Sequence, residues 1–446
     1  MTAASETSAF YKLCALGAAL AILTLLTPIV FKAWGDNAFI ALTVPAGVVT
    51  FAAARVAARA PLARALWVIF TVAVALRLAL LLLDPLLSTD IYRYVWDGRV
   101  QAAGINPYRY FPADPALAAL RDATIYPNIN RADSAVTIYP PVAQIFFLMV
   151  TRLGENVTMM RLGFLACEAI TVTMIALLLR RLGQPLTRLA AYLWHPLPMW
   201  EIANSGHIDA LMVALMMVGI WLALGARVLR GAVAVTLGAI AKPFAVFALP
   251  ALWRPWEWRM PAAVIATALL CYLPYLSVGT GVFGFLTTGY LGEENLRSGN
   301  EIWPLEMWRF IFGTHRGDFI VYLVLATLIL AALAATAAFR RQRTPETTLA
   351  DINRLLLTFL LLLSPRHPWY FLAITPFIAL RGGATAWAAS IGALLLQNEV
   401  DWGIYIPLIA RKTVLYGAVI TAFGYSMWQS RHVTSGTTNY DGNRNQ

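Results

Sequence analysis

The chain has 446 residues, 59% of them hydrophobic and 13% charged, with a mean hydropathy of +0.65. Soluble domains carry about 25% charged residues, so the composition excludes a water-soluble enzyme, and no run shows the alternation of a membrane barrel. The net charge of +11 comes largely from arginines gathered at the ends of apolar blocks, which is a signal of membrane orientation and argues against a nucleic-acid partner.

The apolar blocks are mostly the length that crosses about 30 Å of hydrocarbon as helix. In chain order they are 13–31, 38–54, 66–86, 160–179, 189–203, 208–226, 231–252, 260–278, 318–339, 352–364, 368–380, 385–398 and 413–428. The sequence therefore predicts an all-α polytopic membrane protein of about 12–14 transmembrane helices. No A-x-A-like cleavage signal follows the first block, which reads as a retained span. Lys242-Pro243 inside the 231–252 block predicts two half-helices there. Cys14, Cys167 and Cys271 sit in apolar runs and form neither a disulfide framework nor a metal site.

The arginines set the orientation. Arg55, Arg59, Arg64, Arg180, Arg181, Arg188, Arg227, Arg230, Arg254, Arg259, Arg340, Arg341 and Arg343 share the cytoplasmic side if the N-terminus is cytoplasmic. Arg411 and Lys412 fit this scheme badly. The expected organisation is N-terminal spans over 1–86, then a first outer loop over 87–154 with interfacial helices. A transmembrane core over 155–430 follows, carrying a second outer loop at 279–317. The polar tail 431–446 is expected to be disordered. TIYPP at 137–141 predicts a short interfacial helix over 142–153.

The first outer loop opens on STDIYRYVWDGRVQ, residues 88–101. As a helix it puts Asp90, Arg93 and Asp97 on one face and Tyr92, Trp96 and Arg99 on a neighbouring stripe. A carboxylate at the outer boundary can accept a proton from a substrate hydroxyl. An interfacial helix capped by Asp90, Thr89 or Ser88 would read the same way. Lys242 lies in an apolar block beside a helix-breaking proline, placed either to bind a phosphate or to snorkel. Arg366 and His367, in SPRHPWY, offer bidentate and imidazole donors for phosphate, or an interfacial anchor with Trp369 and Tyr370.

Two more clusters face outward. WHPLPMWEIANSGHIDALM, 194–212, holds Glu201, Asn204, His207 and Asp209, a polar wall for sugar hydroxyls, a weak divalent-metal signal or a capped turn. His195 within it reads as structural. YLGEENLRSGNEIWPLEMW places Glu293, Glu294, Arg297, Asn300, Glu301 and Trp303 together, aromatic and polar groups suited to sugar faces or to a solvated loop.

STDIYRYVWDGRVQAAGINPYRY, TIYPP and SPRHPWY together resemble polyprenyl-phosphate-dependent glycosyltransferases of the GT-C superfamily. They are closest to the bacterial mannosyltransferase-like branch that includes glycosyltransferase family 87. The resemblance runs from about Arg77 onward. It implies a GT-C-like bundle in the bacterial inner membrane with its active site facing the periplasm. It implies inverting transfer of a hexose, with mannose favoured, from a polyprenyl-phosphate donor to a lipid or glycan acceptor, and no nucleotide-sugar site. Asp90 matches the superfamily's essential acidic residue, here a single acid after Thr89 where many members carry a pair. The implied roles are base for Asp90 and acceptor or sugar binding for Arg93, Asp97, Tyr92, Glu201, Asn204, His207 and Glu301. Arg366, His367 and Lys242 would bind the donor phosphate. No cofactor or metal ligand set is assigned, with a divalent cation left open. The alternative function is a lipid or sugar transporter, which would place broken helices and repeats around a midplane site.

Overall fold

The computed structural model describes residues 3–283, 298–397 and 406–438. Helix α1, Ala3–Ala57, has 55 residues, and at ~1.5 Å per residue it would run about 80 Å, far beyond one crossing. It kinks at Gly35, whose φ of 56° lies outside the helical region and suits a residue without Cβ. Gly17 lies against the Trp194 ring, and the Thr50 hydroxyl donates to the Trp194 carbonyl at 2.8 Å. Two residues so far apart can meet one tryptophan only if the halves fold back on each other, as the 13–31 and 38–54 spans.

Helix α2, Leu62–Leu81, and the later α5, Val157–Arg181, are joined by a buried bidentate pair. Arg77 Nη2 and Nε donate to Glu168 at 2.6 and 2.7 Å. Between them come α3, Asp90–Ala102, and α4, Pro141–Thr151, which begins on the second proline of TIYPP. Helices α3 and α4 approach closely at Gly98, where a Cβ would fall 2.6 Å from the Phe147 carbonyl.

The 189–203 block is buried and broken by Pro196 and Pro198 into short turns, ending in a π-type turn at Met199–Asn204. This segment meets α6, Asp209–Leu224, at 119°. Helix α7, Val228–Ala241, ends where Lys242 adopts extended backbone, and a 3-10 turn, Pro243–Ala248, continues. The break falls at the Lys242-Pro243 step that the sequence marks. Then follow α8 (Arg259–Tyr272), α9 (Trp303–Phe312), α10 (Asp318–Ala338) and α11 (Pro345–Leu363). Two short helical segments, Pro368–Ile374 and Thr375–Arg381, lead to α12, Ala384–Gly392, and α13, Leu408–Thr438.

The all-α polytopic class stands, with no strand among the described residues. Not every apolar block is one unbroken helix, and α1 folds two of them into a single kinked helix. Among the described residues 5 helices are long and apolar enough to cross a membrane, or up to 6 with the bent pair as one span. The blocks 189–203, 231–252, 368–380 and 385–398 instead become shorter pieces, broken at prolines or by local 3-10 turns. Helix α13 continues to Thr438, so the tail expected to be disordered from 431 is helical over its first part. Glu293, Glu294 and Arg297 lie outside the described residues.

Two of the arginine-rich turns reach a neighbouring helix end. Arg181 donates to the Trp221 carbonyl at 3.3 Å, and Arg343 donates to the Ala251 carbonyl at 3.4 Å. Arg411 and Lys412, which fit the orientation scheme badly, are buried. They serve as internal clamps and not as loop charges. Lys412 Nζ donates to the Ser364 and Glu301 carbonyls at 2.6 and 2.7 Å, and Arg411 donates to the Gln397 carbonyl.

Candidate functional site

Helix α3 carries the first candidate. The Asp90 N–H donates to Ser88 Oγ at 3.2 Å, and Thr89 makes no side-chain cap. The Asp90 carboxylate is thus not consumed in capping. Its Oδ1 accepts from Asn130 at 2.9 Å, and the residue lines a cavity of about 480 Å³.

Five of the predicted site residues line this cavity: Asp90, Arg93, His207, Lys242 and His367. They come from α3, the bend before α6, the break after α7 and the loop after α11, so only the tertiary fold brings them together. Lys242 Nζ donates to Asp209 at 2.6 Å and stands 4.4 Å above the Tyr370 ring. His207 and His367 stack on Trp369 with ring centroids 4.1 and 4.2 Å apart. Phe244, Tyr272, Phe359 and Leu363 add an apolar wall.

The other predicted residues take supporting places. Asp97 is buried, accepting from Arg93 at 2.8 Å and from Gln144 at 2.9 Å, so it aims Arg93 and does not line the cavity. Arg93 also donates to the Ala135 carbonyl at 3.0 Å. Glu201 approaches His207 Nε2 within 3.2 Å from behind. Asn204 is spent on backbone: it accepts from Leu86 N–H at 2.9 Å and donates to the Asp84 carbonyl at 3.0 Å. It clamps the chain leaving α2 and does not line the cavity. Tyr92 packs against the core on the far side of α3. Arg366 and Glu301 pair with each other at 3.2 Å, outside the cavity lining.

Glu201, His207 and Asp209 do not converge, since Asp209 faces Lys242, and the described residues hold no group of three or more metal-ligating side chains. His195, expected to be structural, is buried with its ring at 2.9 Å from Ser390 Oγ.

The loop after α11 owes its shape to Ser364, which holds φ at 49°. That left-handed conformation is costly for a residue with a Cβ. It is stabilised by the Trp303 N–H donating to Ser364 Oγ at 3.0 Å and by Lys412 on the Ser364 carbonyl.

Sequence reasoning missed Asn130, Arg131 and Tyr139, all on the cavity. Arg131 sits at φ 52°. Its signal was faint, a polar NINRADS stretch within a polar loop, and TIYPP read as structure only. The stripe of Trp96 and Arg99 serves the loop. Arg99 reaches Asp122 at 2.9 Å and Glu155 at 3.0 Å, and Trp96 packs 5.7 Å from the Tyr126 ring. Partial burial works against the Asp122 charge, yet donors from Arg99, Tyr126 N–H and Ile125 N–H outweigh it and hold the carboxyl well below its ordinary range.

The family described as alpha-(1->6)-mannopyranosyltransferase, N-terminal domain, matches residues 11–257. The chain is similar to alpha-(1->6)-mannopyranosyltransferase A of Mycobacterium tuberculosis, 27% identical over 325 residues, which cover 66% of this chain and 61% of that protein. It is likewise similar to alpha-(1->6)-mannopyranosyltransferase A of Corynebacterium glutamicum, 27% identical over 190 residues, or 40% of this chain and 36% of that one. The chain thus spans less than two thirds of the length of these curated relatives. No solved structure matches.

Proposed function

This chain belongs to the alpha-(1->6)-mannopyranosyltransferase family, within the GT-C mannosyltransferase-like branch, and from that premise we propose that it transfers mannose from a polyprenyl-phosphate donor to an acceptor hydroxyl at the outer membrane face. The observation that carries the reading is the convergence of Asp90, Arg93, His207, Lys242 and His367 on one cavity with an apolar side.

In this reading Asp90 takes the proton of the acceptor hydroxyl as its oxygen attacks the anomeric carbon. The bond from that carbon to the phosphate oxygen breaks with inversion, and the electron pair leaves with the lipid phosphate. Asn130 holds one Asp90 oxygen. His367 and Lys242 stabilise the charge developing on the leaving phosphate, where fixed donors act without reorganising. Asp209 and the Tyr370 face keep Lys242 in place. The Phe244, Phe359 and Leu363 wall suits the first isoprene units. Arg366, paired with Glu301 at 3.2 Å, acts at the rim.

The test is sugar transfer in membranes with polyprenyl-phosphate donors carrying mannose, glucose or arabinose, with wild type and Asp90→Asn. The mannose donor should be consumed by wild type and not by the variant. A folded, inserted Asp90→Asn protein that matches wild type would remove Asp90 from catalysis.

A second reading, lipid translocation, draws on the 119° break between Pro196–Asn204 and α6, the kind of discontinuous helix that transporters use. It expects flipping of a labelled polyprenyl phosphate in vesicles and no donor consumption by wild type when acceptor is present.

A further inference from the structure

A second cavity, of about 470 Å³, lies at the start of α7 and α8. Arg227 and Arg230 reach it from the turn into α7, and Arg254 and Arg259 from the turn into α8. The other ends of these two helices, Ala241 and Tyr272, line the first cavity. Each helix has 14 residues, so the two cavities stand about 20 Å apart along the same pair.

The four arginines are exposed, and the cavity they line has one carboxylate, Glu257. That carboxylate is already engaged, accepting from the N–H groups of Arg259 at 3.3 Å and Met260 at 2.9 Å. Among the described residues none of the four guanidiniums makes an ion pair or a side-chain hydrogen bond. The contrast within this chain is direct: Arg77, Arg93, Arg99, Arg309 and Arg340 each meet a carboxylate. Like charges gathered without a counter-ion repel, and a bound anion relieves this. No side chain caps α7, so its N-terminus adds positive potential to the same space.

The surroundings say what kind of anion. Trp256 and Trp258 are 78% and 66% exposed beside Arg254 and Arg259, and tryptophan favours the membrane–water boundary. Leu229 on the cavity wall is also exposed. Trp256 holds φ at 69°, a strained conformation for a bulky residue, in the turn that presents Arg254 and Arg259. Guanidinium pairs match phosphate oxygens bidentately, and basic pockets at the ends of membrane helices suit phosphate headgroups.

We propose that this cavity binds the phosphate headgroup of an anionic phospholipid from the leaflet on the arginine-rich side. The inference needs only that the chain spans a membrane, and it does not rest on the transferase chemistry.

The test is native mass spectrometry of the full chain with phosphatidylglycerol or phosphatidylcholine, and with inorganic phosphate as the free-anion probe. Wild type should retain phosphatidylglycerol over phosphatidylcholine, and inorganic phosphate at equal concentration should not displace it. Arg230→Gln with Arg254→Gln should lower phosphatidylglycerol retention about tenfold or more, while Arg230→Lys with Arg254→Lys, which keeps the charge and loses the fork, should retain less than wild type but still prefer phosphatidylglycerol to phosphatidylcholine. An unfolding midpoint unchanged in phosphatidylcholine separates this loss from misfolding; should the Gln pair not fold, the Lys pair and the phosphate competition decide. Equal retention by wild type and the Gln pair, no preference of the Lys pair for the anionic lipid, or displacement of lipid by inorganic phosphate would overturn the proposal.

Discussion

The two ends of the α7–α8 pair differ in how they treat positive charge. At one end Lys242 is fixed by Asp209 at 2.6 Å and Arg93 by Asp97 at 2.8 Å, in a confined cavity with an apolar wall. At the other, four arginines surround a cavity whose single carboxylate is occupied by backbone. A cation with a buried partner cannot wander, so it presents one geometry to a reacting group. An unmatched, largely exposed cluster instead attracts whatever anion the surroundings supply, and salt screens it. On the two readings proposed above, the difference is that between a place for one reaction and a surface for a class of ligand.

The largest expected effect breaks the reacting end alone. Asp90→Asn keeps the shape and the Asn130 contact region but removes the proton acceptor. Transfer should fall about 10²- to 10⁴-fold, the usual contribution of general base catalysis, with an unchanged unfolding midpoint. Comparable turnover in both proteins would dissolve the contrast between the two ends. Next in size is Lys242→Met. It leaves Asp209 buried without its partner, which costs about 3–5 kcal/mol for a pair of this kind, and thermal unfolding in detergent should register it. Adding Asp209→Leu should restore much of the stability without restoring transfer. If the double variant recovers both, Lys242 is a structural ion pair and no phosphate ligand.

Much of this contrast was legible in the sequence. Apolar blocks and arginine-rich turns gave the polytopic class, and Lys242-Pro243 marked a real break. Asp90, Arg93, Lys242 and His367 stood out because polar residues near apolar blocks are conspicuous. What could not be read was pairing. Asn204 looked like a sugar ligand, yet its amide clamps the end of α2, 120 residues away in sequence from Asp84. Arg366 and His367 read together as phosphate donors, yet His367 lines the cavity while Arg366 pairs with Glu301 at 3.2 Å outside its lining. Arg411 and Lys412 violated the orientation rule because they are buried clamps. Hydropathy could not tell which blocks break into short pieces, since a run such as 189–203 is equally apolar whether it faces lipid or, as here, the protein core.

A scaffold of loop contacts supports the reacting end, and two smaller effects probe it. At Gly98 a Cβ would meet Thr151 Cγ2 at 2.5 Å and the Phe147 carbonyl at 2.6 Å. Gly98→Ala must therefore push α4 from α3, at a cost of about 1–3 kcal/mol, visible as a lowered unfolding midpoint. Because α3 also carries Asp90 and Arg93, transfer should drop as well, which a change at the arginine-rich end would not do through geometry.

The smallest effect is a pH dependence. Asp122 lies outside the membrane-spanning segments and binds Arg99 and two backbone N–H groups, which hold its carboxyl below the usual range of about 3.9. A depressed carboxyl contributes stability above its unfolded value and loses it as pH falls through the folded one. Protease resistance of the 103–140 segment should therefore be level near neutral pH and decline below about pH 4. Asp122→Asn should start lower and lose that decline. The step will be modest, because the Asp122 side chain is 32% exposed and water screens its pairing with Arg99. A wild-type profile with no acid step, or an Asp122→Asn profile that keeps it, would assign the loop's order to the Trp96–Tyr126 packing instead of to charge.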